Sequence, residues 1–222
     1  MAMIRLAVPL YRQPTDSRIC GSVAAKMIAA HYGRHLSIGR IVRETRGKNG
    51  LAPLALGRWF LRNGFRVTII TWWDIFPARF IDLEPAEAER ELRRWVRRPV
   101  SPDGYYPWNR GIYRRMLPHY LDEGGRFLPR PVTWRDLRRA LRQDIPPILS
   151  VDAAPLSRNR CRTDPHFLVV VGAGRETVEV NDPSYEWCGG RRTYPRDELM
   201  HACHRSGSLA LLVSPPPHDD RP

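Results

Sequence analysis

Apolar residues take up a helical period immediately after Cys20. Val23, Ala24, Met27, Ile28 and His31 share one helical face, and Gly33 closes the run, so a helix is expected over about Cys20 to Tyr32. Two shorter helical patterns follow, Ile38 to Arg46 and Pro53 to Asn63, the second stopped by Gly64. The pattern then changes to β-branched and aromatic residues, and Phe65 to Trp72 predicts a strand. Upstream of the first helix, Arg5 to Arg12 reads as an extended segment ending in the turn sequence Gln-Pro-Thr-Asp-Ser.

Residues 74–130 are the least regular. One amphipathic helix is expected there, Pro85 to Arg97 with Ala88, Leu92, Trp95 and Val96 inward, followed by a Pro/Gly/Tyr-rich loop from Pro99 to Gly111. A loop of that length suggests an insertion or a flap forming one side of a cleft. Order returns at Thr133, where Asp136 completes a capping-box pattern ahead of a helix with Trp134, Leu137 and Leu141 on its apolar face. A strand near Ile148 to Val151, a hairpin from His166 to Asp182, a short helix near Asp197 to Ala202 and a last strand, Ser208 to Val213, complete the reading. Helices precede most strands and the strands follow one another in antiparallel fashion, which predicts α+β. One domain over residues 1–214 is expected, with a frayed Pro-rich tail at 215–222.

Composition changes this picture little. At 222 residues and 42% hydrophobic the chain can build a full core, which excludes global disorder. The longest apolar runs, Phe167 to Val171 and Leu209 to Val213, fall far short of the ~18 to 20 residues of a membrane helix. The opening residues lack a secretory apolar stretch and are interrupted by Pro9, so a soluble, cytoplasmic protein without a membrane partner is expected. Net charge is +13, yet every basic residue except Lys26 and Lys48 is an arginine, spread along the whole chain. The denser groups (Arg90, Arg93, Arg94, Arg97, Arg98; Arg135, Arg138, Arg139, Arg142) fall at helical spacing between apolar positions and read as solvated faces. No aromatic/basic RNA motif accompanies them, so nucleic acid is not the expected partner.

Cysteine usage bears on chemistry. Cys20, Cys161, Cys188 and Cys203 form no CxxC pair and no disulfide pattern. Cys188, His201, Cys203 and His204 contain zinc-type ligands, but His-Ala-Cys-His crowds three of them into four residues, which disfavours a tetrahedral site. No metal and no cofactor is expected.

The hairpin carries more. With Gly172 to Glu176 as its loop, Val171 pairs with Thr177 and His166 lies directly opposite Asp182, with Leu168 opposite Val180 and Val170 opposite Val178. All six side chains then share a face that ends in a histidine–carboxylate pair, able to fix the imidazole tautomer and support an imidazolium. A plain structural pair at a sheet edge is the other reading. Cys20 stands at a helix start, where an anion is stabilised, and is followed by Gly21, which permits close approach. A lone cysteine with a distant His and Asp fits a cysteine nucleophile, although buried free thiols are common. Gln13 offers an amide donor for an oxyanion hole, together with the Cys20 N–H. Asn181 is a rival for the third position, but the pairing above turns it to the other face.

The stretch VPLYRQPTDSRICGSVAAKMIAAHYG resembles the nucleophile region of papain-like peptidases related to the bacteriocin-processing, double-glycine leader peptidases. The later stretch, from the Thr133 helix through PPILSVD to DPHFLVVVGAGRETVEVNDPSYEW, is similar to the second half of that family, where a His opens one strand and Asp-Pro closes the next. The likeness spans about residues 5–72 and 130–213. It implies a papain-like α+β domain, with the cysteine helix on an antiparallel sheet; as a departure from the family no transporter segment follows, so a stand-alone domain rather than the peptidase half of an exporter is expected. It further implies Cys20 as nucleophile, His166 as general base and acid, Asp182 as orienting carboxylate and Gln13 as oxyanion donor. Seven positions separate Gln13 from Cys20, and Ser22 stands where the family has Ala or Pro. A thiol peptidase acting on a peptide or protein through a thioester is the expectation. Two alternatives remain: an acyltransferase or amidase with the same residues, and a non-catalytic basic binding module.

Overall fold

The helical period after Cys20 becomes α1 (Cys20–His31) in the computed structural model, which describes residues 3–47, 50–73, 76–97, 107–156, 165–184 and 189–216. The elements before and after it are β1 (Ile4–Arg5), α2 (Ile38–Thr45), α3 (Pro53–Arg62) and β2 (Arg66–Thr71). A 3-10 turn (Ala78–Asp82), α4 (Pro85–Arg97), α5 (Pro107–Asp122) and β3 (Arg126–Pro129) occupy the middle. Then come α6 (Trp134–Arg142), β4 (Ile148–Asp152), the single turn α7 (Ala153–Leu156), β5 (Pro165–Ala173), β6 (Thr177–Asp182), β7 (Gly190–Pro195), α8 (Arg196–Arg205) and β8 (Leu209–Ser214). The proposed α6 cap forms as expected: Thr133 Oγ1 accepts the Asp136 N–H, and the Asp136 carboxylate accepts the Thr133 N–H at 2.9 Å.

The strands form one sheet in the order β3-β2-β8-β4-β5-β6-β7, with β1 attached to the far end of β5. Every pairing is antiparallel except β2 with β3. Alternation sorts the side chains onto two faces. Val67, Ile69, Phe167, Val169, Leu209 and Leu211 pack under α1 and α3, whereas Ile70, Leu149, Leu168, Val170, Val180 and Ala210 pack under α6 and α8. The architecture is α+β, with a mixed sheet covered on both faces.

The middle region does not stand off from this body. Phe76 gathers Trp95, Tyr113 and Phe127 at ring distances of 5.2, 5.5 and 5.8 Å, and all four belong to the core that holds α1. Tyr120 is wholly buried, with its hydroxyl between the carbonyls of Val67 and Arg126 at 3.0 and 2.9 Å. Its ring fits because Gly57 and Gly125 carry no side chain; a Cβ at Gly125 would lie 2.4 Å from the ring. α5 was read as partly loop, and Pro118 lies inside it. Residues 98–106, which hold most of the expected loop, and the end of the tail at 217–222 lie outside the described residues.

Candidate active site

α1 begins without a side-chain cap. Ile19 sits at the N-cap position and the first turn contains no acidic residue, so no carboxylate faces the thiol from this helix end. Gly21 lets the helix close on β5: a Cβ there would lie 3.0 Å from Phe167 Cδ2 and 3.4 Å from Leu51. That approach places the Cys20 sulfur within reach of the His166 side chain and of the Phe167 and Gly21 backbone N–H groups. Burial alone raises the thiol pKa, but these hydrogen bonds and the imidazole charge outweigh it, and the thiol lies below its ordinary range.

His166 Nε2 lies 2.8 Å from Asp182 Oδ1, leaving the other ring nitrogen for the thiol. Asp182 Oδ1 also accepts the Ser184 N–H at 2.8 Å, across the turn at Pro183. Burial would depress the imidazolium, yet hydrogen bonds and charge from Asp182 and Cys20 carry its pKa up to about 10. With the thiol lowered and the imidazole raised, a proton shared by the two sits on the ring rather than on the sulfur, which favours the thiolate–imidazolium pair over the neutral one.

The pairing that brings these two residues together differs from the expected one. Val170 pairs with Val180 and Val169 with Asn181, and a bulge between Val170 and Gly172 shifts the register so that Gly172 pairs with Glu179. The hairpin is therefore tighter than the one read from the loop length, and Leu168, rather than His166, falls level with Asp182. His166 reaches the carboxylate diagonally. The shift is by two residues, so the face is preserved.

Gln13 joins from the lead-in segment. Its N–H donates to the Pro183 carbonyl at 2.8 Å and its Nε2 to Ser17 O at 2.9 Å, while its Oε1 is buried and unpartnered among the described residues. The Ser17 carbonyl needs a donor, which fixes the amide orientation and leaves the second Nε2 hydrogen without a partner among the described residues. Cys20, His166 and Asp182 thus form one hydrogen-bonded chain, and Gln13 is tied to it through Pro183 rather than by a direct bond. Asn181 faces away, donating to Val8 O at 3.0 Å. The Phe167 N–H and the Ser184 N–H were not foreseen; Asp-Pro-Ser after a strand is the turn signal that points to the latter. Of the zinc-type residues, Cys203 is buried with its thiol raised to about 12, and His204 Nε2 meets Val132 O at 3.0 Å. Cys161 and Cys188 lie outside the described residues.

No protein-family model matches the sequence, and neither does any curated protein. Solved structures do match. A double glycine motif protease from an AMS/PCAT transporter, in complex with the leader peptide, superposes with a TM-score of 0.50 at 13% identity, covering 95% of this chain and 94% of that one. The peptidase domain of Streptococcus ComA, a bi-functional ABC transporter, gives 0.49 at 16% identity, over 93% of this chain and 97% of that one. A putative C39-like peptidase from Bacillus anthracis gives 0.48 at 14%, over 96% and 98%. The chain has the papain-like α+β fold of C39 peptidase domains, a cysteine peptidase fold. Among the described residues no helix is long and apolar enough to cross a membrane.

Proposed function

We propose that the protein is a cysteine peptidase that cleaves a peptide or amide bond through a thioester on Cys20. The observation that carries this reading is the continuous chain from the Cys20 sulfur through His166 to Asp182, closed by the Ser184 N–H. The thiolate attacks the carbonyl carbon, and the oxyanion that develops is held by the Cys20 N–H and the second Nε2 hydrogen of Gln13. The His166 imidazolium, oriented by Asp182, gives its proton to the departing amine. Water, deprotonated by the now neutral imidazole, attacks the thioester and releases the acid. A peptide substrate is supported by the peptide-bound double-glycine protease that shares the fold.

The positive charge does not argue for a nucleic acid. Arg5 pairs with Glu179, Arg58 and Arg62 with Glu123, Arg93 with Asp122, Arg130 with Asp136 and Arg205 with Asp152, so these arginines have structural partners; the net +13 is what remains once all carboxylates are counted, and no aromatic/basic RNA motif accompanies it. Digestion of a complex peptide mixture, with termini read by mass spectrometry, tests the proposal. New termini should appear with the wild type and not with Cys20→Ala. Added hydroxylamine should divert part of the acyl group to a hydroxamate, and exclusive transfer to added amines would establish the acyltransferase alternative instead. Absence of cleaved peptide and of hydroxamate would sink the enzyme reading.

A further inference from the structure

Asn181 was a rival for the triad, and the structure gives it other work. It is fully buried, on the face of β6 opposite its neighbour Asp182. Its Nδ2 donates to Val8 O at 3.0 Å and approaches Pro9 O at 3.5 Å, while its Oδ1 accepts from Arg191 Nε at 3.3 Å. Arg191, its register partner on β7, also reaches Val8 O at 3.4 Å through Nη2. The amide fits one way round only, since Val8 supplies an acceptor and Arg191 a donor.

The residues held this way belong to the segment that leads to Gln13. That segment is pinned at Leu6, whose N–H donates to Val171 O at 2.7 Å, and at Gln13, whose N–H donates to Pro183 O at 2.8 Å. Between these points Pro9 has no N–H to give, so a continuous strand ladder is interrupted. The Asn181 side chain occupies the gap. We propose that Asn181, with Arg191, is a positioning residue for the oxyanion donor: it clamps the lead-in segment and thereby sets where the Gln13 amide stands relative to Cys20. This rests on the reading of Gln13 given above. Two consecutive residues of one strand then serve both halves of the site, Asp182 the imidazole and Asn181 the donor. A donor displaced by a fraction of an ångström loses much of its effect on a developing charge.

Two reagents on the same thiolate separate this role from a general one. p-Nitrophenyl acetate acylates Cys20 through a tetrahedral oxyanion: the sulfur lone pair forms the S–C bond, and the C–O bond breaks to release p-nitrophenolate. Iodoacetamide alkylates the same sulfur by displacing iodide, with no oxyanion. Asn181→Ala should slow acylation about 10-fold or more and leave alkylation near pH 7 within about twofold. Gln13→Ala should do the same, and the double variant should lose no more than Gln13→Ala alone. Arg191→Met should lower the acylation-to-alkylation ratio by a smaller factor. The rapid alkylation also reports an intact Cys–His pair, so a misfolded Asn181→Ala protein is recognised by its loss, and Arg191→Met and Asn181→Asp then decide. An unchanged ratio, an equal fall in both rates in a variant whose circular dichroism shows it folded, or independent losses that multiply with Gln13→Ala would each overturn the clamp. If Gln13→Ala itself leaves the ratio intact, Gln13 is not the donor, and the clamp fails for that separate reason.

Discussion

The end of the sheet that carries Cys20 and the aromatic region around Phe76 are held together by opposite means. At the first, a few polar groups fix one another through hydrogen bonds of 2.8 to 3.0 Å: His166 with Asp182, Asp182 with Ser184, Gln13 with Pro183 and Ser17, Asn181 with Val8. At the second, rings pack on rings, and the glycines at 57 and 125 supply the space. A polar frame is directional and fails by misalignment, leaving a folded protein that does not react. An apolar frame is non-directional and fails by loss of stability. Substitutions in the two regions should therefore separate reactivity from stability.

The largest effect belongs to the first region. Cys20→Ala should abolish turnover, by about three orders of magnitude or more, while thermal unfolding shifts by only a few degrees. A collapsed circular dichroism spectrum in that variant would make Cys20 structural and erase the contrast. Asp182→Asn should follow with a loss of about a hundredfold or more in kcat, because the imidazole keeps a partner of the same shape but loses the charge that supports its protonated form. Labelling makes the contrast quantitative without a substrate. The Cys20 thiol is lowered and the buried Cys203 thiol is raised to about 12, so at any given pH the thiolate fraction is larger at Cys20 than at Cys203. Limiting iodoacetamide at about pH 6 should modify Cys20 faster than Cys203 by an order of magnitude or more, and His166→Ala should slow it sharply. Equal rates at the two residues would remove the activated thiol.

The aromatic region should give the inverse result. Gly125→Ala forces a methyl group into the Tyr120 ring, and about 1–3 kcal/mol of stability should be lost in denaturant unfolding while Cys20 labelling in the folded protein is unchanged. A labelling rate that falls with it would couple the two regions. The smallest effect is expected at α6, where Thr133→Ala removes one half of the capping box and should cost about 1 kcal/mol, with no change at the thiol.

The sequence made the two regions unequally legible. α1, α2, α3 and the α6 cap were readable because their apolar period and stop residues are local signals. Cys20, His166 and Asp182 stood out as reactive residue types at element ends. Their geometry was only half readable: side-chain alternation placed His166 and Asp182 on one face, while a tighter turn, offset by one residue at the Val170–Gly172 bulge, moved the pairing by a net two. The aromatic region was only partly legible because Pro118 interrupts the α5 period, and because β3 is a short strand whose residues lack clean alternation. Their place is fixed by tertiary neighbours, Tyr120 in the case of β3, and not by local propensity.

The bare start of α1 has a further consequence. An N-cap side chain at position 19 would accept a hydrogen bond from the second or third helical N–H, and the second is that of Gly21. That same N–H donates to the Cys20 sulfur. A cap would add about 1 kcal/mol to the helix, but it would draw on the hydrogen that holds the thiolate, and an acidic cap would set a negative charge beside it. Robustness and reactivity compete here for one hydrogen atom, and a variant of this protein bred for heat resistance through that position would become more durable as its thiol became more ordinary.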